Sequence, residues 1–228
     1  MQYFLEGFIR AFQLLLSRDP ETFSAIYATL RVSGYAMLAS LSIGIPAGFV
    51  LGYKQFPGKK QIRLVVDTFM ALPTVFIGLM VYAFLSRKGP LGELELLFTL
   101  PGIAIGQTLL ALPIVIALTA TAVETMDADL RITLISLGAD RMHLFLTSLW
   151  ESRFGILAAG FNAYGRVTTE VGISMMVGGN IKWHTRTVTT AIALETSKGM
   201  FEMGIALGLI LISIAFIVNI SLSFLRKR

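Results

Sequence analysis

Charged residues are unevenly spread along this chain, and the gaps between them are long. Positions 32–53 carry no charge, nor do 68–86 or 96–123, and the stretch between Met203 and Arg226 is uncharged with Asn219 as its most polar residue. A hydrocarbon core about 30 Å thick needs about 20 helical residues to cross it. Each of these intervals therefore predicts a transmembrane helix. A fifth interval, 154–181, is long enough to cross but contains Arg166 and Glu170. It reads as a fifth span whose ionisable groups turn into the bundle.

The N-terminal segment 1–19 has a different pattern. Gln2, Glu6, Arg10 and Gln13 recur at helical spacing on an otherwise apolar stretch, which predicts an amphipathic helix lying in the membrane interface. Glu6 and Arg10, four apart, are placed to pair. Arg10 interrupts what would be the apolar core of a signal peptide, and no small-residue cleavage site follows. Asp19-Pro20 then punctuates the chain, with Pro20 suited to the first turn of the next helix. Residues 20–226 read as a single transmembrane domain.

Composition narrows the class. Only 14% of residues are charged, against roughly 25% in a soluble domain. Apolar types reach 55%, Phe alone contributes 16 of the 228 residues, and there is no Cys; mean hydropathy is +0.74. These values exclude a disordered chain, a disulfide-stapled module and a Cys-ligated metal or redox site. They also disfavour a soluble enzyme, whose interior could not hide so much apolar surface. The expectation is an all-α, polytopic membrane bundle of about five spans plus the N-terminal helix.

The net charge of +5 reports orientation. Lys54, Lys59, Lys60, Arg63, Arg131, Arg141, Arg153 and the terminal Arg226-Lys227-Arg228 fall in alternate loops, which places the N-terminus outside and the C-terminus inside. The excess is small, and it points to anionic lipid rather than to nucleic acid. Within the inner loops, 124–152 is the largest. Glu124, Asp127, Asp129 and Arg131 open a polar run, followed by apolar Leu134, Ile135 and Leu137. Gly138 is suited to close a helix in the left-handed region, and Asp140 to cap a second one carrying Leu144, Phe145 and Leu149. Such a surface either meets a partner or packs on its own bundle.

Leu137-Gly138-Ala139, followed by Phe145 and a helix from Phe154, resembles the cytoplasmic EAA loop of type I ABC importer permeases. The resemblance implies that Leu137, Gly138, Ala139, Asp140, Arg141 and Phe145 dock a separate ATPase. Two features depart from the pattern: Ile132, Thr133 and Leu134 stand at the Glu-Ala-Ala triplet, and Trp150-Glu151 replaces the closing Leu-Pro. A second likeness lies in Gly165-Arg166, Glu170-Val171-Gly172 and Met176-Val177-Gly178-Gly179-Asn180. It resembles the last-but-one span of permeases for molybdate, tungstate and sulfate. Thr185-Arg186-Thr187-Val188-Thr189-Thr190-Ala191-Ile192-Ala193-Leu194-Glu195-Thr196 is similar to the tungstate branch, as are Ala71-Leu72-Pro73-Thr74-Val75 and Glu151-Ser152-Arg153. The likeness covers roughly residues 22 to 224.

Membership of that family implies a homodimer of permeases in a prokaryotic cytoplasmic membrane, two cytosolic ATPases and an extracytoplasmic binding protein. It implies alternating access driven by ATP and Mg on the ATPase, with no cofactor or metal held by this chain. No Gly-x-x-x-x-Gly-Lys-Ser/Thr phosphate loop occurs in the sequence. For the translocation path the candidates are Pro73, Thr74, Arg166, Thr169, Glu170, Ser174, Gly178, Gly179 and Asn180. Arg166 and Glu170, four apart, share one helix face; they either lock neighbouring helices or line the path. Arg166, Thr168, Thr169 and Ser174 could donate to a tungstate dianion. Pro73 predicts a kink in the second span, whereas Pro101 and Pro113 read as ordinary packing. Gly44-x-x-x-Gly48 and Gly204-x-x-x-Gly208 have the spacing for close helix contact. His143 and His184, both expected in loops, suit neither an intramembrane protease nor a bis-His haem. A secondary transporter using Glu170 as proton carrier is the remaining alternative.

Overall fold

The structure is a computed structural model that describes residues 2–125 and 136–226. Among the described residues the regular elements are all helical: α1 Gln2–Leu16, α2 Pro20–Tyr53, α3 Lys59–Met70, α4 Thr74–Leu85, α5 Leu100–Glu124, α6 Arg141–Glu151, α7 Arg153–Thr168, α8 Gly172–Gly178, α9 Val188–Ser197 and α10 Phe201–Arg226, with a short 3₁₀ turn at Gly92–Leu94. Residues 126–135 of the 124–152 segment, including Asp127, Asp129, Arg131, Ile132, Thr133, Leu134 and Ile135, lie outside the described residues.

Among the described residues, three helices are long and apolar enough to cross a membrane: α2, α5 and α10. The architecture is the all-α polytopic bundle expected, but the other two intervals read as spans are broken rather than straight helices. The 68–86 interval is split between α3 and α4, which meet at 96°. Pro73 causes the break, and it does more than kink a helix. It sits outside α4 in extended backbone, and its carbonyl accepts from Phe76 N and Ile77 N. The 154–181 interval divides into α7 and α8 around residues 169–171. There the Thr168 and Thr169 hydroxyls donate back to the carbonyls of Tyr164 and Gly165, a competition that loosens a helix end.

The largest contact in the bundle is between α2 and α5, and small residues create it. A Cβ added at Gly48 would lie 2.6 Å from the Ile116 carbonyl oxygen, and one at Gly52 2.6 Å from that of Ala120. Gly44, one turn earlier, abuts Val115. The anticipated pair of glycines is thus a run of three at four-residue spacing, which lets the two backbones touch. The second motif is only half used: Gly204 approaches Thr196 Oγ1, whereas Gly208 has no atom within 4 Å of its added Cβ.

Asp19 caps α2 by accepting from Thr22 N at 2.8 Å, with Pro20 in the first turn as expected. Helix α1 packs Ala11 and Leu14 against Ala206 and Ile210 of α10. Glu6 and Arg10 do not close an ion pair among the described residues; both line a shallow cleft beside Glu202. Two groups of contacts define opposite ends of the bundle. At one, Lys59 and Arg63 pair with Glu124 at 3.0 and 3.4 Å, and Phe145 packs edge-on against Phe49 and Tyr53. At the other, Glu21 in the first turn of α2 meets Lys182 and Arg186.

Candidate functional site

The two broken spans break side by side. A Cβ at Gly172 would lie 3.2 Å from Glu170 Oε1, 3.2 Å from Val75 Cγ2 and 3.3 Å from Thr74 Oγ1. The start of α4, where Pro73 and Thr74 lie, therefore faces the α7–α8 break directly. From there α4 and α8 run in contact, burying Ile77, Val81 and Leu85 against Ile173 and Val177. Gly78 and Gly106 leave room for Ile173 between them.

Glu170 is only 2% exposed, and every part of it is engaged. Its Oε1 accepts from Ile173 N at 3.2 Å, capping α8, and its Oε2 lies 3.5 Å from Arg166 Nη1. Its carbonyl accepts from Ser174 Oγ at 3.3 Å and from Thr189 Oγ1 at 3.0 Å. The carboxylate thus occupies the positive end of α8 with a guanidinium in front of it. Arg166 itself is half exposed, and Thr169 stands on the same exposed face.

Ser174 is fully buried. It accepts from Gln107 Nε2 at 3.3 Å while donating to Glu170, so its hydroxyl is committed within the bundle. Gln107, a lone amide within the apolar 96–123 interval, is 3% exposed. Its Oε1 has no partner among the described residues. That position was legible as an oddity, since an amide amid uncharged apolar residues demands a partner.

Gly178, Gly179 and Asn180 form the exit from α8. Gly178 abuts Ile103, Gly179 ends the helix at φ 69°, and Asn180 follows at φ 50°. Phe98 N donates to Val177 O at 2.9 Å, fixing the incoming loop on the same turn. The threonine-rich segment 185–190 then folds back over this exit. Thr185 Oγ1 donates to Gly178 O. Arg186 Nε donates to Asn180 Oδ1 at 3.2 Å while its Nη1 pairs with Glu21. Val188 N donates to Thr29 Oγ1 of α2 at 2.9 Å. Glu21 and Thr29 were not singled out from sequence, because the residues they bond lie far along the chain, in the 181–188 segment.

At the other end, the turn at Gly138 is left-handed and Asp140 caps the helix after it, as the sequence pattern predicts. Gly138 sits at φ 80° in open space, with Leu137 exposed and Ala139 half-buried beside it. Asp140 caps α6, accepting from His143 N at 2.8 Å. That bond and the contact with the His143 ring hold the Asp140 carboxyl below the ordinary aspartate range. Arg141 opens α6. Phe145 is turned partly inward onto Phe49 and Tyr53, and Leu137, Met142, Leu146 and Trp150 remain exposed. At the α6–α7 joint, the Arg153 guanidinium lies 4.4 Å from the Trp150 ring and 4.2 Å from the Phe154 ring. Its Nη1 also donates to Trp150 O. Stacked cation and rings thus brace a joint for which the sequence provides no proline.

Residues 44–228 match the family described as binding-protein-dependent transport system inner membrane component. Over 219 residues the chain is 46% identical to a tungstate uptake system permease protein of Campylobacter jejuni, covering 96% of this chain and 92% of that one. The corresponding tungstate permease protein of Peptoclostridium acidaminophilum is 36% identical, with 96% of each chain covered. A molybdenum transport system permease protein of Escherichia coli is 30% identical over 88% of this chain and 90% of its own length.

Proposed function

The chain belongs to the family of binding-protein-dependent transport system inner membrane components, and we propose that it is the permease of an ABC importer for a tetrahedral oxyanion. Tungstate is the first candidate, with molybdate and sulfate next. The likeness to two tungstate permease proteins over 96% of the chain carries the choice of substrate. Two copies form the pore, two cytosolic ATPases supply ATP hydrolysis with Mg, and an extracytoplasmic protein delivers the anion. This chain contributes no cofactor.

The exposed face of Leu137, Met142, Leu146 and Trp150 supports docking of the ATPase at the 124–152 end. Burying such an apolar patch against a partner is favourable. That end is the cytoplasmic one in this reading. The contacts between 59–63 and Glu124 and between Phe49 and Phe145 support it, since both inner loops of the N-out, C-in topology then lie together. The Glu21, Lys182 and Arg186 cluster faces outward, where the binding protein releases its cargo.

Alternating access requires elements with two arrangements. The adjoining breaks at Pro73-Thr74 and at Thr169-Glu170 supply them, with α4 and α8 moving as short units and Gly178, Gly179 and Asn180 as the outer pivot. A docking stroke at Gly138 reaches these breaks along α7.

The test is uptake of labelled tungstate into vesicles holding the whole assembly. Uptake that needs ATP and loaded binding protein is the expected outcome. Uptake driven by a proton gradient alone assigns the chain to secondary transport through Glu170. Competition with molybdate and sulfate ranks the substrates.

A further inference from the structure

One exposed face of α7 differs in kind from the other exposed faces of the bundle. Helices α2, α4 and α10 expose Leu38, Ile43, Leu79, Phe84, Ile212 and Phe216. Beyond Phe154 at its start, helix α7 and its C-cap instead expose Ala158, Asn162, Gly165, Arg166 and Thr169. These positions follow the helical repeat and so make one line along the surface. Lipid favours large apolar side chains, and a guanidinium in hydrocarbon is costly enough that such residues face protein or water. Arg166 lies about 20 Å along α7 from Arg153 at the helical rise of 1.5 Å, too deep to lie at the cytoplasmic surface. The strip has the character of a wetted wall.

Its free hydrogen-bonding capacity is selective. The Thr169 hydroxyl donates to Gly165 O at 2.9 Å, so outward it presents lone pairs, which repel an anion. Thr168 is buried, with its proton committed to Tyr164 O, and Ser174 is committed to Glu170. Two donors remain. The Asn162 amide gives one N–H to Ala158 O at 2.8 Å and keeps a second. The Arg166 guanidinium makes one polar contact among the described residues, 3.5 Å to Glu170, and keeps the rest. Asn162 is four residues before Arg166, and both line one shallow hollow with Phe161, Gly165 and Thr169.

We infer that Asn162 and Arg166 form a weak contact site for a tetrahedral oxyanion on the wall of the translocation path. This rests on the reading of the chain as an oxyanion permease. The guanidinium supplies charge and paired N–H donors matched to an oxyanion edge. The Asn162 amide adds a neutral donor one turn toward the cytoplasmic end. Glu170, buried behind Arg166, offsets part of its charge, so the anion is attracted but released, as transport requires.

The chain contains no cysteine, so Asn162→Cys introduces a unique thiol in this subunit. In the assembled complex in vesicles, the variant is treated with anionic and cationic methanethiosulfonates of similar size. Labelling is read from the mass of this chain. The anionic reagent is expected to react about tenfold faster, the scale of electrostatic focusing in a charged cleft, and tungstate is expected to slow it. Adding Arg166→Gln removes the preference for the anionic reagent. Thr169→Cys, about two turns further on, gives a second accessible position should Asn162→Cys fail to assemble, and it shows the same preference. Equal rates for the two reagents, or no labelling at either position, overturn the site. ATP-driven uptake by the unmodified complex is measured in parallel. Its absence for every oxyanion overturns the broader reading, and the labelling pattern decides the site separately.

Discussion

The Thr189 hydroxyl donates to the backbone carbonyl of Glu170 at 3.0 Å, joining the start of α9 to the break between α7 and α8. The break leaves this carbonyl without its helical donor, the usual condition of a helix end, and Ser174 supplies the second bond to it. Thr189→Val removes one donor and leaves the other. The expected loss is about 1 kcal/mol of stability, read by thermal unfolding of the purified protein in detergent, with Thr189→Ser retaining most of it. Combined with Ser174→Ala the effect exceeds the sum of the single changes, because the carbonyl is then buried without a partner.

Helices α2 and α5 touch at backbone level, so the smallest enlargement there has a cost. An added Cβ at Gly48 meets the Ile116 carbonyl oxygen at 2.6 Å, and a main-chain atom cannot rotate away. Gly48→Val is expected to destabilise by roughly 1–3 kcal/mol, the range for overpacking. Gly208→Ala has open space and gains up to about 1 kcal/mol of helix propensity. Opposite shifts in melting temperature for the two variants are the expected result. Equal shifts mean that the close α2–α5 approach does not hold in the membrane.

How much of this was legible follows from where the partners lie. The spans 32–53 and 96–123 were readable because hydrocarbon imposes one requirement on the whole length of a helix. The turn at Gly138 and the cap at Asp140 were readable because both act on residues within a few positions of themselves. The breaks were not. A charge-free interval records what surrounds a segment and says nothing of its direction, so Pro73 read as a kink where the chain turns by 96°. Glu170 read as one half of an ion pair, yet its hold on Ile173 N and its carbonyl's bond from Thr189 matter equally. Asn162 passed unnoticed because exposure of α7 beside Arg166 is a tertiary fact.

Glu21 ties the first turn of α2 to Lys182 and Arg186, and Arg186 is the more buried of the two. Its carboxylate is partly exposed, so Glu21→Gln is expected to cost no more than about 1 kcal/mol and to lose its effect in high salt. Hydrogen exchange across 181–187 reads the change locally. Thr29→Val removes the acceptor of the buried Val188 N–H and is expected to cost about 1–3 kcal/mol with no salt dependence. The contrast separates a screened ion pair from a buried hydrogen bond holding the same loop.

Gly138 makes a different demand, since its surroundings are open and only its backbone is special. At φ 80° a residue with a Cβ is strained by about 1–2 kcal/mol. Gly138→Val is therefore expected to insert and fold as the parent does. The turn that presents α6 is displaced, and ATPase stimulation by loaded binding protein falls severalfold. Gly138→Asn is milder, because Asn tolerates the left-handed region. Asp140 sets the acid limit of the same turn. Its carboxyl is held below the ordinary range by the His143 N–H, so its contribution to capping α6 is complete above the unfolded value and fades only as pH falls through the lowered one. Coupling lost at mildly acidic pH would then come from elsewhere, and Asp140→Asn, an acceptor at every pH, would leave that loss unchanged. Full stimulation in Gly138→Val would instead move the docking contact off this turn and onto the exposed flank of Leu146 and Trp150.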